Sequence, residues 1–214
     1  MTTTRQPYST LSVRAVMSLA LAALLVMLAF VAQPSSAHAA SAPKGTYVAS
    51  GGTYTWGVKS SFRNYVTGPI AKGKYTASGK AKKLSNGTLR FTGASGSVKN
   101  GKGTVRYSGS ARFTGHSGKL DLTVKSPKLV VNGSTGTMYA TVSTKKTDGT
   151  WLYKNKQIKI ATVTGLNYTT KGKTVTIKSS AKGVKLTAAG AKALGGFYTK
   201  GQVMDRLTVT VKKK

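Results

Sequence analysis

Few side chains in this 214-residue sequence could perform acid–base, nucleophilic or metal chemistry. Cysteine and glutamate are absent, the acids are Asp121, Asp148 and Asp205, and the two histidines are His38 and His116. Without thiolates there are no disulfides, thiolate zinc sites, iron–sulfur clusters or Cys nucleophiles. Two histidines exclude multi-histidine catalytic metal sites, and three aspartates leave paired-carboxylate hydrolysis short of candidates. His116 and Asp121 stand close in sequence, but no nucleophile has comparable support and no Gly-x-Ser-x-Gly elbow occurs. The stretch Gly101–Arg106 begins like a dinucleotide loop, yet it lacks the third glycine and the helix that should follow. An enzyme is not expected. The remaining candidates are aromatic and hydroxyl side chains, and two of them, Ser61 and Tyr65, are four residues apart.

That spacing matters only if a helix holds it. Within Trp56–Gly68 the apolar residues Val58, Phe62, Tyr65 and Val66 are spaced like one face of a short helix, which Gly68-Pro69 would stop. Ser61 and Tyr65 would then lie one turn apart. A second break in the pattern, Thr187–Gly196, has the alanines and closing glycines of a helical turn or two, with Phe197 and Tyr198 directly after it. Short helices carrying aromatics between strands could hold a flat ligand.

Elsewhere after Ser41 the period is two. Val105, Tyr107, Ala111 and Phe113 face one way, with Thr104, Arg106, Ser108, Ser110 and Arg112 opposite. Leu120, Leu122 and Val124 repeat the pattern, as do Met138–Val142, Ile158 with Ile160, Val175 with Ile177, and Leu207–Val211. Asn86-Gly87, Asn100-Gly101, Asn132-Gly133 and Asp148-Gly149 punctuate these runs as hairpin turns. The expectation is a mainly β fold, an antiparallel sandwich or open barrel of about eight to eleven strands with two short helices flanking the ligand site.

The first forty residues read as an address. Arg5 and Arg14 precede an uncharged run from Ala15 to Ala32, Pro34 breaks it, and Ala37 and Ala39 supply a small-residue cleavage site. Residues 1–40 are therefore expected to be a signal peptide, cut after Ala39 or Ala40. The alternative is an uncleaved anchor, since the run could just span a bilayer. Residues 41–214 are expected to form a single domain that is secreted or held at the cell wall or surface, with no later transmembrane segment. Loss of Arg5 and Arg14 would leave 32 basic and three acidic residues, a net charge of +29 against +31 for the whole sequence.

Three segments, WGVKSSFRNYV, SGSARFTGHSGKLDLTVKSPKLVV and FYTKGQVMDRLTV, resemble the HtaA-type haem-binding domain of actinobacterial haem-uptake proteins. The resemblance runs from about Gly52 to Val211. Its most specific part pairs W-G-V-K-x-S-F-x-x-Y with a later F-x-G-H-x-G-x-L-D. It implies that Tyr65 is the axial ligand whose phenolate binds ferric haem b iron, and that His116 hydrogen-bonds that tyrosine. It further implies that Ser61 contacts a haem propionate and that Phe197 packs on the porphyrin. Taken alone, Ser61 could instead cap its helix, and Phe197 could plug the core. The implied function is capture of ferric haem and delivery to other haem-uptake proteins of the envelope, with host haemoproteins as sources.

The implied chemistry is coherent. A phenol ionises near pH 10, and bonding to Fe(III) favours the phenolate. A neighbouring imidazole can orient it and tune its basicity. Hard oxygen ligation should favour ferric over ferrous iron, so reduction offers a release route.

Two haem propionates do not account for the large positive charge. It is spread along the chain as 27 lysines and 7 arginines. Lysine is a point charge, whereas base-edge readout favours arginine forks, and no nucleic-acid-binding motif occurs. Cell-wall polyanions are the expected additional partner, with no specific nucleic acid. The alternative function is a cationic, wall-associated structural or adhesive β-domain that does not use haem.

Overall fold

The computed structural model describes residues 41–214. The signal peptide expected over 1–40 lies outside the described residues.

All four turn dipeptides close hairpins. Asn86-Gly87 joins β4 (Ala81–Lys83) to β5 (Leu89–Lys99), and Asn100-Gly101 joins β5 to β6 (Lys102–Ser108). Asn132-Gly133 joins β8 (Leu120–Asn132) to β9 (Thr135–Lys145), and Asp148-Gly149 joins β9 to β10 (Trp151–Val163). At Asn100 and Gly101 φ is 49° and 76°, the positive pair that a two-residue hairpin turn requires.

The remaining strands are β1 (Thr46–Val48), β2 (Tyr54–Trp56), β3 (Lys74–Ser78), β7 (Ser110–Gly115), β11 (Asn167–Lys171), β12 (Thr174–Lys178), β13 (Val184–Leu186) and β14 (Leu207–Lys213). Pairing is antiparallel throughout, in the order β11-β12-β14-β1-β5-β6-β8-β9-β10-β13. In addition β2 bridges β14 and β5, β4 flanks β5, and β3 and β7 continue the sheet from β8. The mainly β, antiparallel expectation is met. Fourteen strands form the sheet. Four of these, β1, β2, β4 and β13, have only three residues, too few for alternation to show in a sequence; the other ten fall within the expected number.

Strand β8 does two jobs because it bends. Its first half pairs with β7 and its second with β6, and the register shifts between Lys125 and Lys128. Ser126 has φ 50° there, Pro127 offers no N–H to the ladder, and Ser126 N donates to Gly109 O (3.0 Å) in the break between β6 and β7. The sheet can therefore curve around its apolar face.

That face is the core. Tyr54, Phe91 and Tyr107 meet at ring-centroid distances of 6.0 and 5.6 Å, while Phe113 meets Phe62 and Tyr75, each at 5.3 Å. Each such side chain contributes about 1.5–3 kcal/mol by leaving water. The predicted apolar runs are buried, including Val105, Tyr107, Ala111 and Phe113 and the whole set Leu207, Val209 and Val211, except that Leu120 is only partly buried.

Helices interrupt the sheet at the two predicted places. Helix α1 (Ser60–Thr67) buries Phe62 and Val66, and the Gly68 N–H bonds Tyr65 O (3.3 Å) where the helix stops. Helix α2 (Ala188–Ala193) is capped by Thr187, whose Oγ1 accepts from Gly190 N (3.0 Å). A Cβ on Gly190 would lie 2.0 Å from Ile160 O, so the missing side chain lets α2 rest directly on β10. Among the described residues no helix is long and apolar enough to cross a membrane.

Candidate functional site

Helix α1 presents Tyr65, and a distant segment sets its angle of entry. Val58, just before the helix, is buried with φ 61°, a left-handed conformation that a β-branched residue adopts only under constraint. The constraint is Asp205. Its N–H donates to Val58 O (3.0 Å), its carbonyl accepts from Trp56 Nε1 (3.1 Å), and its Oδ1 accepts from Ser60 N (3.1 Å). Its Oδ2 meets Arg63 Nη1 at 2.6 Å. Gly57 leaves room for this ion pair, because a Cβ there would lie 2.4 Å from both partners. The helix N-terminus is thus capped by a carboxylate from 145 residues away, and Ser61 is not the cap.

Tyr65 Oη is hydrogen-bonded to His116 Nε2. When Nε2 carries no proton the phenol donates; when it is protonated the imidazole can donate to a phenolate. His116 sits in a single 3₁₀ turn, His116–Gly118, that interrupts the run from β7 into β8. Its φ of 49°, and 52° at Ser117, turn the chain sharply, while His116 N donates to Ala71 O (2.7 Å) and Lys119 N to His116 O (3.2 Å). Left-handed backbone at two successive non-glycine residues is costly and recurs where a side chain must be aimed. Both side chains are only partly buried.

Phe197 completes the aromatic group. It follows Gly195 and Gly196 after α2, and its ring centroid lies 5.4 Å from that of Tyr65 at 54°. It is 57% exposed, so it is not a core plug.

Tyr65, His116 and Phe197 line one cavity of about 700 Å³, within the usual range for small-molecule sites. Phe62, Leu120, Leu122, Leu152 and Leu194 make its wall apolar, and Lys119, Lys145, Lys146 and Lys192 also line it. Asp121, the one carboxylate lining it, is held by Arg112 through Nε and Nη2 at 2.8 and 2.9 Å. Ser61 stands apart. It is exposed on α1 one turn before Tyr65, its Oγ is 3.5 Å from Tyr198 Oη, and it does not line the cavity.

A phenol oxygen coupled to an imidazole, beside an apolar slot with cations around it, suits a flat, largely apolar ligand that offers a Lewis-acidic centre and acidic substituents. Among the described residues no group of three or more His or Asp side chains could hold a bare metal ion.

The HtaA family model, described as Htaa, matches residues 51–210. The chain belongs to the HtaA family. Solved structures agree with this membership. This HtaA-family chain is 29% identical to the C-terminal domain of HtaA from Corynebacterium glutamicum, with a TM-score of 0.67, covering 78% of this chain and 98% of that one. The N-terminal domain of the same protein is 27% identical with a TM-score of 0.63, covering 80% and 99%. The haem-binding protein HtaB from C. glutamicum shares the fold at 23% identity and a TM-score of 0.61, covering 79% and 95%. No curated protein matches the chain.

The leucines and lysines of the cavity and the clip at Asp205 were not legible in the sequence. Leu120 and Leu122 read as ordinary strand residues, and nothing local marks four lysines among 27. Asp205 had one available signal, as one of only three acids in the chain.

Proposed function

We propose that this protein is an exported haem carrier that takes ferric haem b into the cavity and passes it to other haem-uptake proteins. The observation that carries the reading is the hydrogen-bonded pair Tyr65–His116 opening into an apolar cavity beside Phe197. Membership of the HtaA family supports it. Haem would supply a ferric centre with one position for an oxygen ligand. Tyr65 offers that oxygen, His116 accepts or returns its proton and fixes its direction, and Phe197 with the leucines excludes water from the macrocycle. Ser61 remains the residue proposed to bond a propionate, from a position at the flank of α1.

Titration with haemin, followed by visible absorption, tests this. A saturable one-to-one complex with a high-spin tyrosinate spectrum is expected, absent in Tyr65→Phe. Weak, salt-sensitive uptake that ignores the substitution would overturn the reading.

A second reading is favoured by the outward sheet face. Arg106, Lys128, Tyr139 and Lys159 stand opposite one another across β6, β8, β9 and β10, forming a row of three cations around one tyrosine. Such a row suits a polyanionic wall polymer. It is compatible with haem carriage, and it would be the sole function if haem binding failed.

A further inference from the structure

We infer that Lys119, Lys146 and Lys192 are specificity residues, which hold the acid groups of a dianionic planar ligand at the mouth of the cavity. The inference rests on the haem reading and adds to it the charges that face the carboxylates, beside the hydroxyl proposed for one of them at Ser61.

The three lysines come from separate elements: the residue after the 3₁₀ turn, the residue after β9, and α2. They are far apart in sequence, yet all line the one apolar cavity and all are exposed, so their flexible side chains can bring an ammonium group to its mouth. Converging like charges repel, so an arrangement of this kind is relieved by an anion. No aspartate forms an ion pair with any of the three: Asp148 feels the charge of Lys146 but is held first by Thr150. Asp205 is paired with Arg63 at 2.6 Å and Asp121 with Arg112 at 2.8 Å. Asp148 accepts from Thr150 N and Oγ1 at 2.8 and 2.6 Å in the β9–β10 turn. Those are all the acids the sequence contains.

Lys145 is different: its Nζ lies 5.2 Å from the Trp151 ring centroid and is already engaged there. Among the described residues Lys119, Lys146 and Lys192 make no ion pair. Lysine suits the task, since a mobile point charge follows a flexible acid arm without demanding fork geometry. A neutral tetrapyrrole would fill the same apolar slot and leave these charges unmatched.

Parallel titrations with haemin and with haemin dimethyl ester, whose carboxylates are capped, test the inference. The substituted proteins are the triple variant Lys119→Gln/Lys146→Gln/Lys192→Gln and a charge-matched control on the β11–β12 hairpin, Lys171→Gln/Lys173→Gln/Lys178→Gln. Each rim lysine should be worth about two- to fivefold in haemin affinity, and the triple on the order of tenfold or more at low salt. Ester affinity should be unchanged, and the control should leave both ligands unaffected. Equal loss for haemin and ester would overturn the inference, as would equal loss in the control. If the unsubstituted protein binds both ligands equally, the haem reading stands and the lysine assignment falls. If it forms a saturable complex with neither, both fall together.

Discussion

Tyr65 and His116 owe their pairing to two unlike pieces of backbone, a helical turn and a left-handed 3₁₀ turn, whose side chains meet at one hydrogen bond. Removing the imidazole leaves the phenol in place but unaligned. His116→Ala should weaken haemin binding by roughly 10–100-fold while leaving the fold intact, measured by competition with apomyoglobin and by circular dichroism. Three other tyrosines govern alkaline stability. Burial pushes the Tyr168 phenol up to about 12, and Tyr54 and Tyr107 are raised further, by burial first. In the unfolded chain these phenols ionise near pH 10, whereas in the fold they keep their protons. The unfolded state then binds fewer protons, so stability should fall as pH rises from about 10, through about 12 for Tyr168. Denaturant midpoints across that range, with phenolate absorbance followed in parallel, check the prediction. A midpoint that stays flat there would refute it.

At the scale of elements, α1 is aimed by Asp205 and α2 is seated by Gly190. Asp205→Asn keeps the shape but removes the charge opposite Arg63 and weakens the cap at Ser60; a loss of about 1–3 kcal/mol is expected from thermal or denaturant unfolding. The same variant should bind haemin more weakly, because α1 would lose the ion pair to Arg63 that fixes its entry, while the main-chain bond to Val58 stays. Gly190→Val is expected to lift α2 off β10, since its Cβ would meet Ile160 O at 2.0 Å. Phe197 and the Tyr65 contact would shift with it, and tyrosine-ligation spectra would broaden or change before the core unfolded. The helices themselves were legible from the breaks in period-2 alternation at Trp56–Gly68 and Thr187–Gly196. Their anchoring was not, because Asp205 acts across 145 residues and Gly190 acts through an absent atom.

On the scale of the whole molecule, charge dominates. A formal net charge of +31 gives a field that attracts any polyanion and opposes self-association. Binding to an anionic wall polymer should fall steeply with ionic strength, and Lys128→Gln/Lys159→Gln should reduce it more than Lys171→Gln/Lys178→Gln on β11 and β12. Cosedimentation with isolated cell walls over a salt series measures this. Retention that ignores salt would remove the electrostatic account without touching the cavity.

The sequence by itself determined strands β6 to β10, β12 and β14, the four hairpins, the two helices and the lack of any thiolate or glutamate chemistry. Each of these depends on local spacing or on composition, which are complete in one dimension. Only the tertiary structure decided that the 3₁₀ turn at His116 brings its ring to Tyr65, and that Asp205 caps a helix 145 residues away in sequence. It also decided that three lysines from three elements surround one cavity. Those are long-range contacts, made by a curved sheet whose bend at Ser126–Pro127 lets β8 pair with β7 at one end and β6 at the other.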